Sequence, residues 1–363
     1  MKRVVIAIDS FKGCLTSEEA NKAAAEAVID ACSDAEAVLI PVSDGGEGFL
    51  EAFHAAIGGE LIDLTVRDPL MRPVSARYLL KEQTAVIEIA QASGLTLLSP
   101  SERNPMVATS YGTGQLVADA VRKGAKHIIV GLGGSATSDA GMGMLRALID
   151  NFARHGSFDD IAELKNVSFT IASDVKNPLC GENGAAHVFA PQKGATTSMV
   201  QQLDSRARKF AEVSAKHFGY DRQNMPGAGA AGGLGYAFMQ YLDAQCKPGI
   251  QLLLDTIHFS EIVKNADLVI TGEGSADHQT LMGKLPMGIL QQSGSVPVCL
   301  IAGRISDRTE LLKAGFKYVE CINPEGISLE EAMRQDVATR NIHTTIKSIL
   351  KYLILLVSDK KLS

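Results

Sequence analysis

The sequence predicts a two-domain α/β fold: a Rossmann-like parallel sheet with a second, mixed α/β domain inserted into it. Three observations predict it. The first and last segments alternate short apolar runs with helical repeats, the pattern of parallel β-α-β units. Between them lie three strand-like runs whose connections leave no room for crossover helices, so those strands are antiparallel or mixed. A chain of 363 residues, 46% of them hydrophobic, is also long enough to bury two cores.

The elements follow in order. Val4–Ile8 reads as a buried strand, and Thr16-Ser17-Glu18-Glu19 as a capping box. Ala20, Ala23, Ala24, Ala27, Val28 and Ala31 then recur at helical spacing. Residues 38–42 form a second strand, which runs into Ser43-Asp44-Gly45-Gly46-Glu47-Gly48 and a helix to about Ile57. Residues 61–66, 74–80 and 84–89 are the three closely connected strands. A helix over about 113–123 leads to a strand at 127–130 and the turn Gly131-Leu132-Gly133-Gly134-Ser135-Ala136-Thr137, with a helix after it. Residues 168–172 are a strand ending at Ser173-Asp174, and a long helix covers about 198–218. Parallel character returns with strands at 268–270, 296–301 and 318–322. Ser328-Leu329-Glu330-Glu331 is a second capping box that opens the terminal helix. The domains are then 1–64 with 262–363, and the inserted 65–261. Small-molecule sites are common in the cleft such an insertion creates.

Composition excludes several classes. A net charge of −6 without an extended basic run argues against nucleic acid or an anionic membrane as partner. Six cysteines are scattered without CxxC pairs and eight histidines lack metal-ligand spacing, which reads as reduced thiols in a cytoplasmic protein. The start of the chain meets Asp9 too early for a signal peptide. The apolar run 352–357 is too short to span a bilayer.

The chemistry sits at strand ends. Thr271-Gly272-Glu273-Gly274-Ser275-Ala276-Asp277 follows an apolar strand as a Gly-rich turn with two acids, and Lys284 comes just after. Ligands bind outside the carboxyl ends of parallel strands, and glycine lets backbone N–H groups approach them. Asp9-Ser10-Phe11-Lys12-Gly13 ends the first strand and would face the same crevice. Gly131–Thr137 reads as a strand, turn and helix N-terminus suited to an anion, or as a structural turn. Asp44 and Glu47 among their glycines are either ligand-binding or capping acids of a solvated loop. Arg67, Asp68 and Arg72 flank Pro69 at a domain crossing and can equally be a salt-bridge set. Residues 226–235 contain a formal GxGxxG, but Tyr220–Met225 is no strand, so the dinucleotide fingerprint lacks its context. Tight helix packing or an anion cradle are the other readings. No Walker A, GxSxG, HExxH or protein-kinase set is present. Acids, lysines and glycine turns recurring at strand ends are what phosphoryl transfer needs: N–H groups and Lys for charge, and carboxylates for Mg2+.

These residues are similar to a known family. Asp9–Gly13, Pro41–Gly48, Asp68-Pro69-Leu70, Ala92–Leu95, Thr109–Gly114, Gly133–Thr137, Ser173-Asp174-Val175, Asn177-Pro178-Leu179, Pro191–Ala195, the 226–235 run, and Thr271–Gly274 with Asp277, Gln279-Thr280 and Gly283-Lys284 resemble the type-1 glycerate kinases of bacteria over nearly the full length. The resemblance implies two α/β domains with the site between them. It implies phosphorylation of D-glycerate by ATP with Mg2+, 2-phosphoglycerate being the expected product. Kinase action on another small hydroxy acid, or non-catalytic binding of a sugar acid on the same fold, are the alternatives. Asp174 or Asp277 is the expected base, with Lys12 and Lys193 beside them in the catalytic set. Asp44, Glu47 and Glu273 are expected at the metal. Ser10, Gly45, Gly46, Arg67, Gly133, Gly134, Ser135, Thr137, Gly272, Gly274 and Lys284 are expected on substrate or phosphate. The protein is expected to be a monomer or homodimer. The chain departs from the pattern at Ser275, where the family usually has Arg, at Ser138 and Ala140, and in a shortened stretch around 150–159.

Overall fold

The structure, a computed structural model, describes residues 2–42 and 48–359, with side chains through Ile354. Its strands are β1 (Arg3–Ile8), β2 (Glu36–Leu39), β3 (Glu60–Arg67), β4 (Pro73–Lys81), β5 (Thr84–Glu88), β6 (His127–Gly131), β7 (Ser168–Ala172), β8 (Gln245–Lys247), β9 (Leu268–Ala276), β10 (Val298–Ile305) and β11 (Tyr318–Cys321). The chain divides into two compact units, Met1–Asp44 with Ile250–Ser363, and Gly45–Gly249.

The first unit holds a five-stranded sheet in the order β11-β10-β9-β1-β2. Every neighbouring pair is parallel. Strands covered on both faces need continuous rather than alternating apolar sequence, and β1 (Arg-Val-Val-Ile-Ala-Ile) is of that kind. Val4, Ile6 and Ile8 pack with Ala20, Ala24 and Val28 of the helix Ser17–Ala31, and with Ile342, Ile346 and Leu350 of the helix Gln335–Asp359. The Thr16 box forms in both directions: Glu19 N–H donates to Thr16 Oγ1 at 3.2 Å and Thr16 N–H to Glu19 Oε2 at 2.8 Å. Ser328 also caps, but it opens only the single turn Leu329–Ala332, and the terminal helix starts afresh at Gln335.

The strand ladder corrects the reading of 271–276 as a turn. These residues are the second half of β9. They pair with β1 as far as Ile8↔Gly272 and with β10 as far as Ile305↔Ala276. Gly272 is there for closeness: a Cβ on it would lie 2.6 Å from the Ile301 carbonyl oxygen.

The second unit carries a six-stranded sheet, β3-β4-β5-β6-β7-β8. The β3/β4 and β4/β5 pairs are antiparallel, and β5 through β8 are parallel. Its core gathers Tyr78, Ile87, Val130, Phe169, Ile171, Tyr236 and Phe238. The unit begins earlier than residue 65 because β3 pairs with β4 along its whole length, from Glu60↔Leu80 to Arg67↔Pro73. The preceding helix Phe49–Ile57 belongs with it, since Leu50 N–H donates to Glu88 Oε2 at 3.1 Å. The unit ends before 261 because Ile250 packs on Gly288, where an added Cβ would meet it at 2.9 Å.

The Gly/Ala run at 226–235 is a packing device. No strand precedes it, and Ala231, Gly232 and Gly233 are left-handed, with φ of 52°, 67° and 89°. A Cβ on Gly232 would fall 2.0 Å from the Thr137 carbonyl oxygen. Ala140 N–H donates to Gly232 O at 3.0 Å. The run is therefore pressed against the turn that follows β6.

Candidate active site

In the first unit the chain runs from β1 outward to β2 on one side, and from β9 to β10 and β11 on the other. The order therefore reverses between β1 and β9. In open parallel sheets this switch point opens a crevice at the carboxyl ends of the strands. Asp9, Ser10 and Lys12 follow β1 there, and Gly272 through Asp277 end β9. Asp9 N–H donates to Gly272 O at 2.9 Å, which fixes the two strand ends together, and Ser10 N–H donates to Asp9 Oδ1 at 2.7 Å. Gly274 lies beside the backbone of Phe11 and Lys12: a Cβ there would stand 3.8 Å from Phe11 Cα and 4.0 Å from Lys12 N, an ordinary contact distance.

Glu273 is 7% exposed. Thr280 Oγ1 donates to its Oε1 at 2.6 Å, and Lys284 Nζ stands 3.7 Å from its Oε2. Burial raises its carboxyl above the usual range, with the Thr280 hydrogen bond and the Lys284 charge opposing. Asp277 is half-buried and accepts Gln279 N–H through Oδ1 at 2.8 Å, while its own N–H donates to Thr280 Oγ1 at 3.0 Å. Thr280 thus links the two acids, a role that its place three residues after Asp277 signals but that the sequence reading did not assign. Lys12 is exposed, and among the described residues it makes no ion pair.

The turn after β6 is built differently. The next helix starts only at Met142, and Asp139 occupies its N-terminus. Asp139 accepts the N–H groups of Gly141 and Gly143, both at 3.1 Å, and from Ser110 both N–H at 2.8 Å and the hydroxyl at 2.9 Å. Ser110 Oγ accepts Met144 N–H at 3.0 Å. The anion that this helix terminus attracts is thus the chain's own. A Ser-Asp pair just ahead of an apolar helical run is an N-cap signature from which this was readable. Ala136 N–H donates to Ser93 O at 2.8 Å and Thr137 N–H to Ser135 Oγ at 3.1 Å. Among the described residues no hydrogen bond uses the amides of Gly133, Gly134 or Ser135 as donors.

Lys193 is 4% exposed beneath this turn. Its ammonium donates to Thr137 O at 2.6 Å and to Ser135 Oγ at 3.4 Å. Burial pushes it from 10.5 down to about 8, with the Asp139 charge opposing.

The remaining expected residues are dispersed. Arg67 ends β3, giving its N–H to Gln115 Oε1 at 2.8 Å and its guanidinium to Met71 O at 3.2 Å, while Asp68, Arg72 and Glu102 form the salt-bridge set beside it. Asp174 follows β7 and is exposed. Asp44, Gly45, Gly46 and Glu47 lie outside the described residues.

Comparison with known proteins identifies the group to which this arrangement belongs. The sequence model of the glycerate kinase family matches residues 4–354. A glycerate kinase of Bacillus subtilis is 40% identical, across 95% of this chain and 98% of its own length. Glycerate 2-kinase of Escherichia coli is 38% identical, again across 95% of this chain and 98% of its own. The crystal structure of a Salmonella typhimurium protein provisionally assigned as glycerate kinase 2 superposes with a TM-score of 0.83 at 35% identity, covering 98% of this chain and 99% of that one. The chain belongs to the glycerate kinase family and is a kinase.

Proposed function

We propose that this chain transfers the γ-phosphoryl group of ATP to the C2 hydroxyl of D-glycerate, giving 2-phosphoglycerate. The observation that carries this reading is the acid–lysine group at the carboxyl ends of β1 and β9, in a chain of this family. Asp277 is the proposed acceptor of the hydroxyl proton, because its Oδ2 has no partner among the described residues and Glu273 is spent elsewhere. Lys284, oriented by Glu273, and Lys12 stabilise the charge that spreads over the transferred phosphoryl oxygens. The amides of Gly133, Gly134 and Ser135 are proposed to hold a phosphate or carboxylate oxygen. Lys193 serves them indirectly, by holding the turn through Thr137 and Ser135.

Mg2+ would neutralise charge between the nucleotide phosphates. Glu273 does not suit it as a ligand, because Thr280 takes one oxygen and the Lys284 ammonium faces the other. Among the described residues no group of three or more acids, histidines or cysteines could hold a metal. Mg2+ often uses only one or two carboxylates and completes its shell with water and phosphate. One carboxylate therefore suffices for an ion that arrives with ATP, and Asp44 and Glu47, the other acids expected at the metal, lie outside the described residues.

A coupled ADP-release assay with D-glycerate and Mg2+-ATP tests this reading. Turnover is expected, and the product should feed enolase directly, whereas 3-phosphoglycerate would first require phosphoglycerate mutase. Absence of turnover with D-glycerate, or faster turnover with tartronate or lactate, would overturn the substrate assignment.

A further inference from the structure

We propose that Arg304 is the guanidinium of the strand-end site and binds an anionic oxygen of substrate, a phosphate or a carboxylate. The inference rests on the functional reading above. In the parallel β9/β10 ladder Arg304 is the direct partner of Ser275, and Ala302 that of Glu273. Partners in a parallel ladder point to the same face, as do residues two apart on one strand. Glu273, Ser275 and Arg304 therefore share a face, and the arginine stands one ladder step beyond the buried acid that holds Lys284.

The position is rigid at its root. Ile305 pairs with Ala276, Ser306 N–H donates to Ala276 O at 3.0 Å, and Ile322 N–H donates to Ala302 O at 2.9 Å on the other side. Gly303 is pressed on β9, where a Cβ would lie 2.8 Å from Gly274 O, and its carbonyl accepts Asn323 Nδ2 at 2.8 Å. The side chain itself is exposed, and among the described residues it makes no hydrogen bond or ion pair. Arg308, at the start of the following helix, is by contrast tied to Glu320 at 2.6 Å. An uncommitted guanidinium on a fixed stem is suited to a bidentate contact with phosphate or carboxylate. The expectation of an arginine at 275 is then met from the adjacent strand: the sequence departs at Ser275, and the ladder restores the charge beside it.

The experiment compares wild type, Arg304→Ala and the double variant Ser275→Arg with Arg304→Ala. Steady-state kinetics are measured with ATP and D-glycerate varied in turn, and the affinities for ATP and for D-glycerate are measured by calorimetry. Arg304→Ala should lower kcat/KM by about tenfold or more, and the arginine at 275 should recover most of the loss. A rise in KM for ATP assigns the contact to phosphate, and a rise for D-glycerate assigns it to the carboxylate. Arg304 is exposed, so its removal leaves folding intact. Values for Arg304→Ala within twofold of wild type, or a loss that the arginine at 275 does not repair, would overturn the proposal. If wild type itself fails to turn over D-glycerate, the functional reading fails. Calorimetric affinities for ATP and for D-glycerate then still decide on Arg304: a tenfold weakening of either in Arg304→Ala supports the contact, and unchanged affinity for both rejects it.

Discussion

Two strand ends of this protein look alike in sequence and differ in construction. The end of β9 and the turn after β6 both combine glycines, a hydroxyl and an acid, and each meets a lysine, Lys284 from just downstream and Lys193 from a distant segment. After β6 most of these groups satisfy one another: Asp139 caps a helix and holds Ser110, and Lys193 is spent on Thr137 O and Ser135 Oγ. At β9 one acid, Glu273, is buried and committed, while Asp277 Oδ2, Lys12 and Arg304 keep capacity for a ligand among the described residues. The difference is one of hydrogen-bond accounting: after β6 the charged side chains are paired within the protein and backbone amides are what is left over, whereas at β9 charged side chains themselves are left over. Substitutions should therefore separate the two regions, the second unit's acid being read in stability and the first unit's in rate.

The largest effect is expected at Asp139. Asp139→Ala strands the amides of Ser110, Gly141 and Gly143 and removes a negative charge that favours the Lys193 ammonium. Urea unfolding should show a loss of about 3–5 kcal/mol, as a lower midpoint at unchanged slope. A loss below about 1 kcal/mol would mean that the turn does not depend on its acid, and the contrast with β9 would lapse.

Lys193 comes next, and its sign is fixed by its shift. The folded-state value is depressed to about 8 from 10.5, so the unfolded chain holds this proton more tightly. Stability contributed by Lys193 therefore rises with pH across the window from 8 to 10.5 and is at its lowest below 8, where both states are protonated. The full swing is of the order of 3 kcal/mol, from about 1.4 kcal/mol per unit. Other groups titrate in the same window, so the measurement is the difference between wild type and Lys193→Met from pH 7 to pH 10.5. A flat difference would show that the ammonium is not buried as described.

The contrast between the regions also marks what the sequence could convey. Periodicity located β1, β7 and the helix Ser17–Ala31 closely, because apolar runs and a capping box are local signals. The parallel character of the first and last segments was legible for the same reason. Pairing was not. Thr271–Ala276 has the composition of a turn, and only β1 and β10 on its two sides make it a strand. The Asp139 network joins residues nearly thirty positions apart, so the sequence shows the acid beside the glycines of this turn but not that it also serves Ser110. Arg304 carries no motif at all; its meaning lies in a register that places it beside Ser275. From sequence, Asp277 is expected at the proton and Glu273 at the metal, and burial with Thr280 and Lys284 is what commits Glu273 within the protein instead.

That division gives the smallest change in free energy and the sharpest test of the first unit. If Asp277 takes the hydroxyl proton, Asp277→Asn should lower kcat by about 10², near 2.7 kcal/mol of barrier, with unfolding shifted by less than about 0.5 kcal/mol. Its amide oxygen can still accept Gln279 N–H, so the turn should keep its shape. Glu273→Gln should behave otherwise. It leaves an acceptor for Thr280 but releases Lys284 from its charge partner, so KM should rise more than kcat falls. Near-normal kcat in Asp277→Asn would remove it as base and return Asp174 to that role. A rate loss as large in Glu273→Gln would show that the buried acid, rather than the half-exposed one, faces the reacting hydroxyl.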